Sequence, residues 1–382
     1  MMEENQLNPD VDYTDMLSIC SQALDFYQQH GITELIHAFN IANILGTNQF
    51  YAEAAFFYKV AFNMHSKSAG QFPLAHFLLM ARLVALLKGN FPIKEDEMNQ
   101  LKGLCIPLYN FVEGWKRYKE NGDALSAIRL MGNCFEEFHT GEEADTIYLT
   151  IMMDLFNPNP EICIKDRTFG AADFNVIPNN LFMYWDQNPP AEILQNFEYH
   201  KGLTHFNLKI FDKAEAIEWL YQNYGVEARQ IFLSARHPAE AADFLRVHVI
   251  NYYGGWWLDA DIKIQSIDKF CSIIPSSYEH VFLLTHNNVV HNDFFGSVPN
   301  SPILNDCMLS LYRNSYLHTG LFIAYKTGPG IFGRALNRTF YRSLRGETKK
   351  PSVVLLNDRK FWSVIADFET PYKDSTPHWQ AS

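Results

Sequence analysis

The chain has 382 residues, 47% hydrophobic and 15% aromatic with only 19% charged, a composition of well-packed globular proteins rather than disordered or fibrous ones. Its length exceeds the usual ceiling of about 200 residues for one domain, so two domains are expected. The net charge of −12 argues against a phosphate-backbone binder, which runs on clustered Lys and Arg, and excludes nucleic acid as the expected partner.

The opening "MMEENQLNPDVDYTD" is acidic and polar, unlike a cleaved export signal with its basic start and apolar run. From Val11 to about Phe156 apolar residues recur at helical spacing, with breaks at His30-Gly31, Gly46-Thr47-Asn48, Gly89-Asn90-Phe91-Pro92, Asn121-Gly122 and Thr140-Gly141. An all-α half of about seven helices follows from that period. The most apolar window, "FPLAHFLLMARLVALLKG", carries His76 and Arg82 and falls short of the roughly 20 residues of a membrane span. Two segments look alike, Leu45 to Phe62 and Met131 to Met152. Each has a small residue closing one helix, then a turn, then Glu-Ala opening another, with Tyr four residues after the Ala (Ala54/Tyr58 and Ala144/Tyr148). That is similar to the tetratricopeptide (TPR) pattern, and it would make the half a docking platform for a protein or glycan acceptor or for a second copy of the chain. An irregular helical bundle with core alanines is the structural alternative.

"FNPNPEICIKDRTFGAADFNVIPNN", Phe156 to Asn180, is rich in Pro, Asn and Gly and marks a boundary. We place a helical domain at 1–160, a linker at 161–175 and a second domain at 176–382. In the second, short apolar runs read as strands ("NLFMYW", "HFNLKIF", "RQIFLSA", "GGWWLDADIKI", "HVFLLTH", "PSVVLLN"). They alternate with helical stretches such as "DKAEAIEWLYQNYG", "AEAADFLRVHVINYYG" and "SPILNDCMLSLYRNSY". Such alternation gives an α/β sheet whose ligand sits at strand ends. Cys20, Cys105, Cys134, Cys163, Cys271 and Cys307 are scattered without a CxxC pair or zinc spacing. Free thiols in a reducing compartment fit, and the expected location is the cytoplasm, with the inner membrane face or delivery as an effector as variants.

Asp259-Ala260-Asp261 follows the apolar "GGWWL". Carboxylates at the end of a buried strand are tolerated when paired or bound to a cation, and two of them two residues apart point the same way from an extended segment. Mg²⁺ or Mn²⁺ with open positions for phosphate oxygens suits such a pair; ion pairs with Lys263 or Arg246 are the structural alternative. Asp10-Val11-Asp12 has the same form but no such context. Upstream, Asp243 and Arg246 stand three apart, on one helix face. They read either as a solvated ion pair or as a guanidinium carried through Gly254-Gly255 toward a diphosphate.

"AADFLRVHVINYYGGWWLDADI" resembles the core of the DXD-type sugar-binding glycosyltransferases, the group that includes the clostridial glucosylating toxins. Four further segments fall in the family's order: "IPNNLFMYWDQNPP", "HNDFFGSVPNSPIL", "TGPGIFGRAL" and "STPHWQ". Together they span about 175–380. The resemblance implies a GT-A-like, Rossmann-like nucleotide-sugar-binding domain using Mn²⁺ or Mg²⁺, with a UDP-sugar favoured, GDP-mannose second, and anomeric configuration retained. By the same resemblance Trp185, with Tyr184 beside it, would stack on the base, and Asp243 and Arg246 would hold the donor sugar and diphosphate. Asp259 would contact the ribose and the ion, Asp261 would ligate the ion, and Asn292 and Asp293 would line the sugar and acceptor side. His378 would be a further metal or phosphate ligand and Trp379 would close over the phosphate. A phosphosugar transferase and a non-catalytic scaffold are the rival readings.

Overall fold

The computed structural model describes residues 12–65, 71–156 and 176–375. The chain divides into two compact units, Met1–Glu137 and Phe138–Ser382. The linker expected at 161–175 lies outside the described residues.

The first unit is all helix. Among its described residues the helices are Thr14–Leu17, Ser21–His30, Leu35–Thr47, Tyr51–Met64, Ala75–Lys88, Glu95–Leu104, Ile106–Asn121 and Ala124–Met131, with a 3-10 turn at Cys134–Glu137. Four of them end at the expected breaks, before Gly31, Asn48, Gly89 and Gly122, the last taking a left-handed φ of 68°, whereas Tyr51–Met64 and Glu95–Leu104 end at His65 and Cys105. Arg82 lies in the apolar helix Ala75–Lys88 because Glu97, 6% exposed, meets its Nε at 2.8 Å and the Lys59 ammonium at 3.2 Å. A charge so placed must be paired, since an unpaired buried one is heavily penalised. Among the described residues no helix is long and apolar enough to cross a membrane.

The two look-alike segments have different fates. In the first, Gly46 faces Ala54 and Tyr58 across the hairpin of Leu35–Thr47 and Tyr51–Met64, and the Tyr58 hydroxyl donates to Asn43 at 2.7 Å. In the second, Ala144 and Tyr148 lie on the helix Glu143–Phe156, which belongs to the second unit although the sequence pattern assigned it to the helical half. The cause is Asp145. It is 3% exposed and pairs with Arg334, whose Nε and Nη2 reach its carboxylate at 2.9 and 3.0 Å. Gly141 and Gly330 also touch: a Cβ on Gly330 would stand 2.6 Å from the Gly141 Cα, so the backbones meet only without side chains.

The second unit is α/β. Its strands are β1 (Asn180–Tyr184), β2 (Asn207–Phe211), β3 (Gly255–Leu258), β4 (Ile262–Ile264), β5 (His280–Leu284), β6 (Val290–Ser297), β7 (Val353–Leu356) and β8 (Ile365–Asp367). Among the described residues they form a sheet in the order β2-β1-β3-β6-β5-β7 and a ribbon of β4 and β8. The pairings β1–β2, β1–β3 and β5–β7 are parallel, while β6 runs antiparallel to β3 and β5. Leu181, Met183, Trp256, Leu258, Val281, Leu283 and Phe294 share one core cluster, as period-two burial in a covered sheet requires.

Two expectations are corrected. "RQIFLSA" is not a strand: it ends the helix Lys213–Leu233, which is interrupted where Gly225 takes a φ of 86°. Ala228 and Phe232, four apart, are the buried positions while Leu233 is 46% exposed, a helical and not an alternating pattern. "GGWWLDADIKI" is two strands, because the chain turns at Ala260-Asp261.

Candidate functional site

The site lies at one edge of the sheet. Trp185 follows β1, Asp212 follows β2 and Asp259 follows β3, while β6, running the other way, brings Asn292 and Asp293 to the same edge. Register fixes this: Leu258 pairs with Phe294, so the next step puts the Asp259 N–H on the Asp293 carbonyl at 2.8 Å. Carboxyl ends of parallel strands are where open α/β sheets hold ligands.

The helix Pro238–Tyr253 supplies the other side. It is buried from Glu240 to Asn251 and must enter β3 without a connecting loop. Gly254 and Gly255 allow that, with φ of 64° and 120°; a Cβ on Gly254 would stand 2.5 Å from Pro299 and one on Gly255 2.5 Å from the Asn180 carbonyl oxygen.

Arg246, 2% exposed, is the hub. Its Nη1 lies 2.9 Å from Asp243 and donates to the Asn292 carbonyl at 2.8 Å; its Nη2 donates to both Asp259 oxygens at 2.8 and 3.1 Å. The Trp257 indole N–H donates to Asp259 at 2.6 Å. Asp243 accepts from the Asn292 amide at 2.8 Å and the Thr327 hydroxyl at 3.0 Å. Burial pushes the Asp243 carboxyl up to about 6 despite Arg246. Asp259 is pushed up too, first by burial, with the charges of Asp261 and Asp293 adding to the rise and Arg246 opposing it. Among the described residues the buried Arg246 Nε has no hydrogen-bond partner.

Asp261 faces elsewhere. Because the segment is a turn rather than a strand, its carboxylate is not beside that of Asp259 on Arg246 but accepts from Lys373 at 2.8 Å and the Tyr372 hydroxyl at 3.5 Å. The ion-pair alternative therefore holds for Asp259 with Arg246, while Lys263 lies over the Tyr199 ring. Asp293 accepts from His291 at 3.1 Å when that nitrogen carries the proton, and His291 stacks on Phe361 with centroids 3.6 Å apart.

Trp185 lines a cavity of about 650 Å³ with Asp186, Gln187, Asn188, Asp212 and Lys213. Tyr184 is buried and does not line that cavity; its hydroxyl donates to Asp186, which does, at 2.7 Å. His378 and Trp379 lie outside the described residues.

No family model and no curated protein matches the chain. Among solved structures, a protein described as PaToxG Glycosyltransferase superposes on 57% of this chain and 92% of its own, with a TM-score of 0.33 and 14% identity. So loose a superposition carries no argument.

The donor set suits a hard cation. Asp259 and Asp261 flank one turn, Asp293 is close enough to disfavour a second negative charge, and oxygen ligands are what Mg²⁺ and Mn²⁺ take. Among the described residues no three His, Cys, Asp or Glu side chains are grouped to hold a metal alone, so an ion there would need oxygens from water or from a ligand.

Several residues that shape the site escaped the sequence reading. The Asn196 amide, 5% exposed, donates to the Ala260 and Ile262 carbonyls at 2.8 and 2.9 Å and so clasps the turn around Asp261. His200, one helical turn on, accepts from the Ile264 N–H at 3.2 Å. Their i, i+4 spacing was visible but indistinguishable from core packing. Thr327 and Lys373 carried no local signal, because each reaches its aspartate from far along the chain.

Proposed function

We propose that the chain is a glycosyltransferase that takes a nucleotide-sugar donor, UDP-linked first and GDP-mannose second, and transfers the hexose to a protein or glycan acceptor. The observation that carries this is the Asp243–Arg246–Asp259 network at the strand ends, with Asp261 and Trp185 both meeting Tyr372. A guanidinium suits a diphosphate because it presents its donors in a planar fork; the edge held by the part-exposed Asp259 is the one a phosphate would reach, the Nε being buried. Arg246, fixed by two aspartates, would stand as a preorganised positive charge behind a leaving group, and such preorganised charge contributes most to catalysis of this kind.

Asp259 and Asp261 would hold a Mn²⁺ or Mg²⁺ ion, with His378 as a further ligand. Such an ion supplies Lewis-acid stabilisation of phosphate charge. Trp185 offers an aromatic face for the base, with Asp186 and Lys213 as polar partners in the same cavity. Asp243 and Asn292 would hold sugar hydroxyls, with Thr327 buried behind Asp243, and Asp293 with His291 would stand on the acceptor side. The sheet order, with one antiparallel strand among parallel neighbours, suits a GT-A-like domain. Recruitment of the acceptor falls to the all-α unit, by TPR-like docking or a second copy of the chain.

The test is nucleotide release from a panel of UDP- and GDP-sugars with Mn²⁺. Diphosphate release from one donor, lost in Asp261→Ala, is the expected result. Release of monophosphate would mean phosphosugar transfer, and silence across the panel would leave a non-catalytic scaffold.

A further inference from the structure

We infer that Tyr372 and Lys373 act as an internal stand-in for the donor and its cation, so that ligands enter the site by displacing the chain's own side chains. The inference rests on the function proposed above and adds a competitor to it.

The short turn Tyr372–Ser375 delivers two neighbouring side chains to two separate parts of the site. The Lys373 ammonium lies 2.8 Å from the Asp261 carboxylate. The Tyr372 ring meets Trp185 in a T-shaped contact with centroids 5.2 Å apart, and its hydroxyl points at Asp261 from 3.5 Å. Trp185 and Asp261 come from different strand ends, yet one turn of chain engages both the aromatic face and the carboxylate.

The chemistry of each contact mimics a ligand. An ammonium on a carboxylate places positive charge where a divalent cation would sit, and a phenol ring against an indole uses the surface a base would stack on. The Lys373 ion pair is also easy to give up, while the Tyr372 ring is half-buried against the core. Lys373 and Asp261 side chains are 45% and 29% exposed, and ion pairs in such surroundings are weak and salt-sensitive. A divalent ion on Asp261 would repel the ammonium a few ångströms away, so both cannot stay.

The segment is tethered for such a movement. Asp367, the last residue of β8, pairs with Ile262, directly after Asp261. The stretch Phe368-Glu369-Thr370-Pro371 then separates that anchor from Tyr372. The Lys373 side chain can therefore leave Asp261 while β8 stays in register with β4.

The experiment measures Mn²⁺ binding to the full-length protein without nucleotide, by calorimetry at low salt, for wild type and Lys373→Met. Loss of the ammonium should tighten Mn²⁺ binding about fivefold, and the gain should shrink at high salt. Tyr372→Ala keeps the ammonium: its Mn²⁺ affinity should stay near wild type while UDP binding, read by tryptophan fluorescence, tightens. Lys373 is exposed and Tyr372 half-buried against the core, and thermal melts check that the variants fold. Mn²⁺ binding that is equal or weaker in Lys373→Met overturns the stand-in and leaves the proposed function standing. Failure of both proteins to bind Mn²⁺ overturns the stand-in together with the cation in the proposed function.

Discussion

Arg334 and Arg246 are both buried arginines of the second unit, 0% and 2% exposed; Arg334 pairs with Asp145, and Arg246 with Asp243 on its own helix and with Asp259. Around Arg334 the pocket is closed. Asp145 is 3% exposed, takes both arginine contacts, and accepts from Asn337 at 3.2 Å, while the guanidinium also donates to the Phe138 and His139 carbonyls at 2.9 and 3.0 Å. Around Arg246 the arginine is as buried, but its surroundings open outward. Asp259, Asp261 and Asp293 have side chains 27%, 29% and 31% exposed. The same chemical pair is a weld in one place and the floor of an opening in the other, and what separates them is whether solvent reaches the carboxylates.

Acid should break the closed interior first. His200, His248 and His280 are 0%, 0% and 3% exposed, and burial pushes each down to about 4. At these three groups the unfolded chain takes up protons near pH 6.5 and the folded chain only near pH 4, so their contribution to stability falls as the pH drops below about 6.5. Asp243 and Asp259, whose folded carboxyls are raised, bind protons in the folded state over the same range and offset part of the loss. Urea unfolding across that range checks the slope, and His248→Gln should flatten part of it.

Next in size is Arg334→Met. It leaves Asp145 buried without its cation, which costs about 3–5 kcal/mol, visible as a lower unfolding midpoint. Arg246→Lys should change the midpoint less, because it keeps a cation beside the buried Asp243 and the part-exposed Asp259, with turnover reduced about 10²-fold or more by loss of the planar fork. If both substitutions move stability alike, the distinction between weld and opening fails.

The smallest effect is expected at Asn196→Ala. Two buried carbonyls beside Asp261 would lose their donor, at about 1–3 kcal/mol, and Mn²⁺ affinity should fall as well. A change in stability with unchanged Mn²⁺ binding would make Asn196 a packing residue only.

Much of this was legible in the sequence, for identifiable reasons. Helix ends at Gly31, Gly122 and Gly254 were visible because glycine alone takes those backbone angles without strain. Asp243 and Arg246 were readable as neighbours because three residues make one helix face, and Gly254-Gly255 announced a direct entry into β3. The Arg334–Asp145 weld was not, because its partners stand 189 residues apart and neither carries a local pattern. For the same reason the helix Glu143–Phe156 was grouped with its sequence neighbours. Arg229 to Ala235 misled because four apolar residues on a short kinked helix resemble a strand. The turn at Ala260-Asp261 was hidden by the apolar residues on both sides.

The most direct test of the account is calorimetric binding of UDP-hexoses and GDP-mannose in the presence of Mn²⁺ to wild type and Arg246→Lys. One donor should bind wild type with one-to-one stoichiometry and bind the variant at least about tenfold more weakly, with the unfolding midpoint little changed. Binding of no donor to the wild type, or equal binding to both proteins, would contradict the claim that the Arg246 network is a donor site.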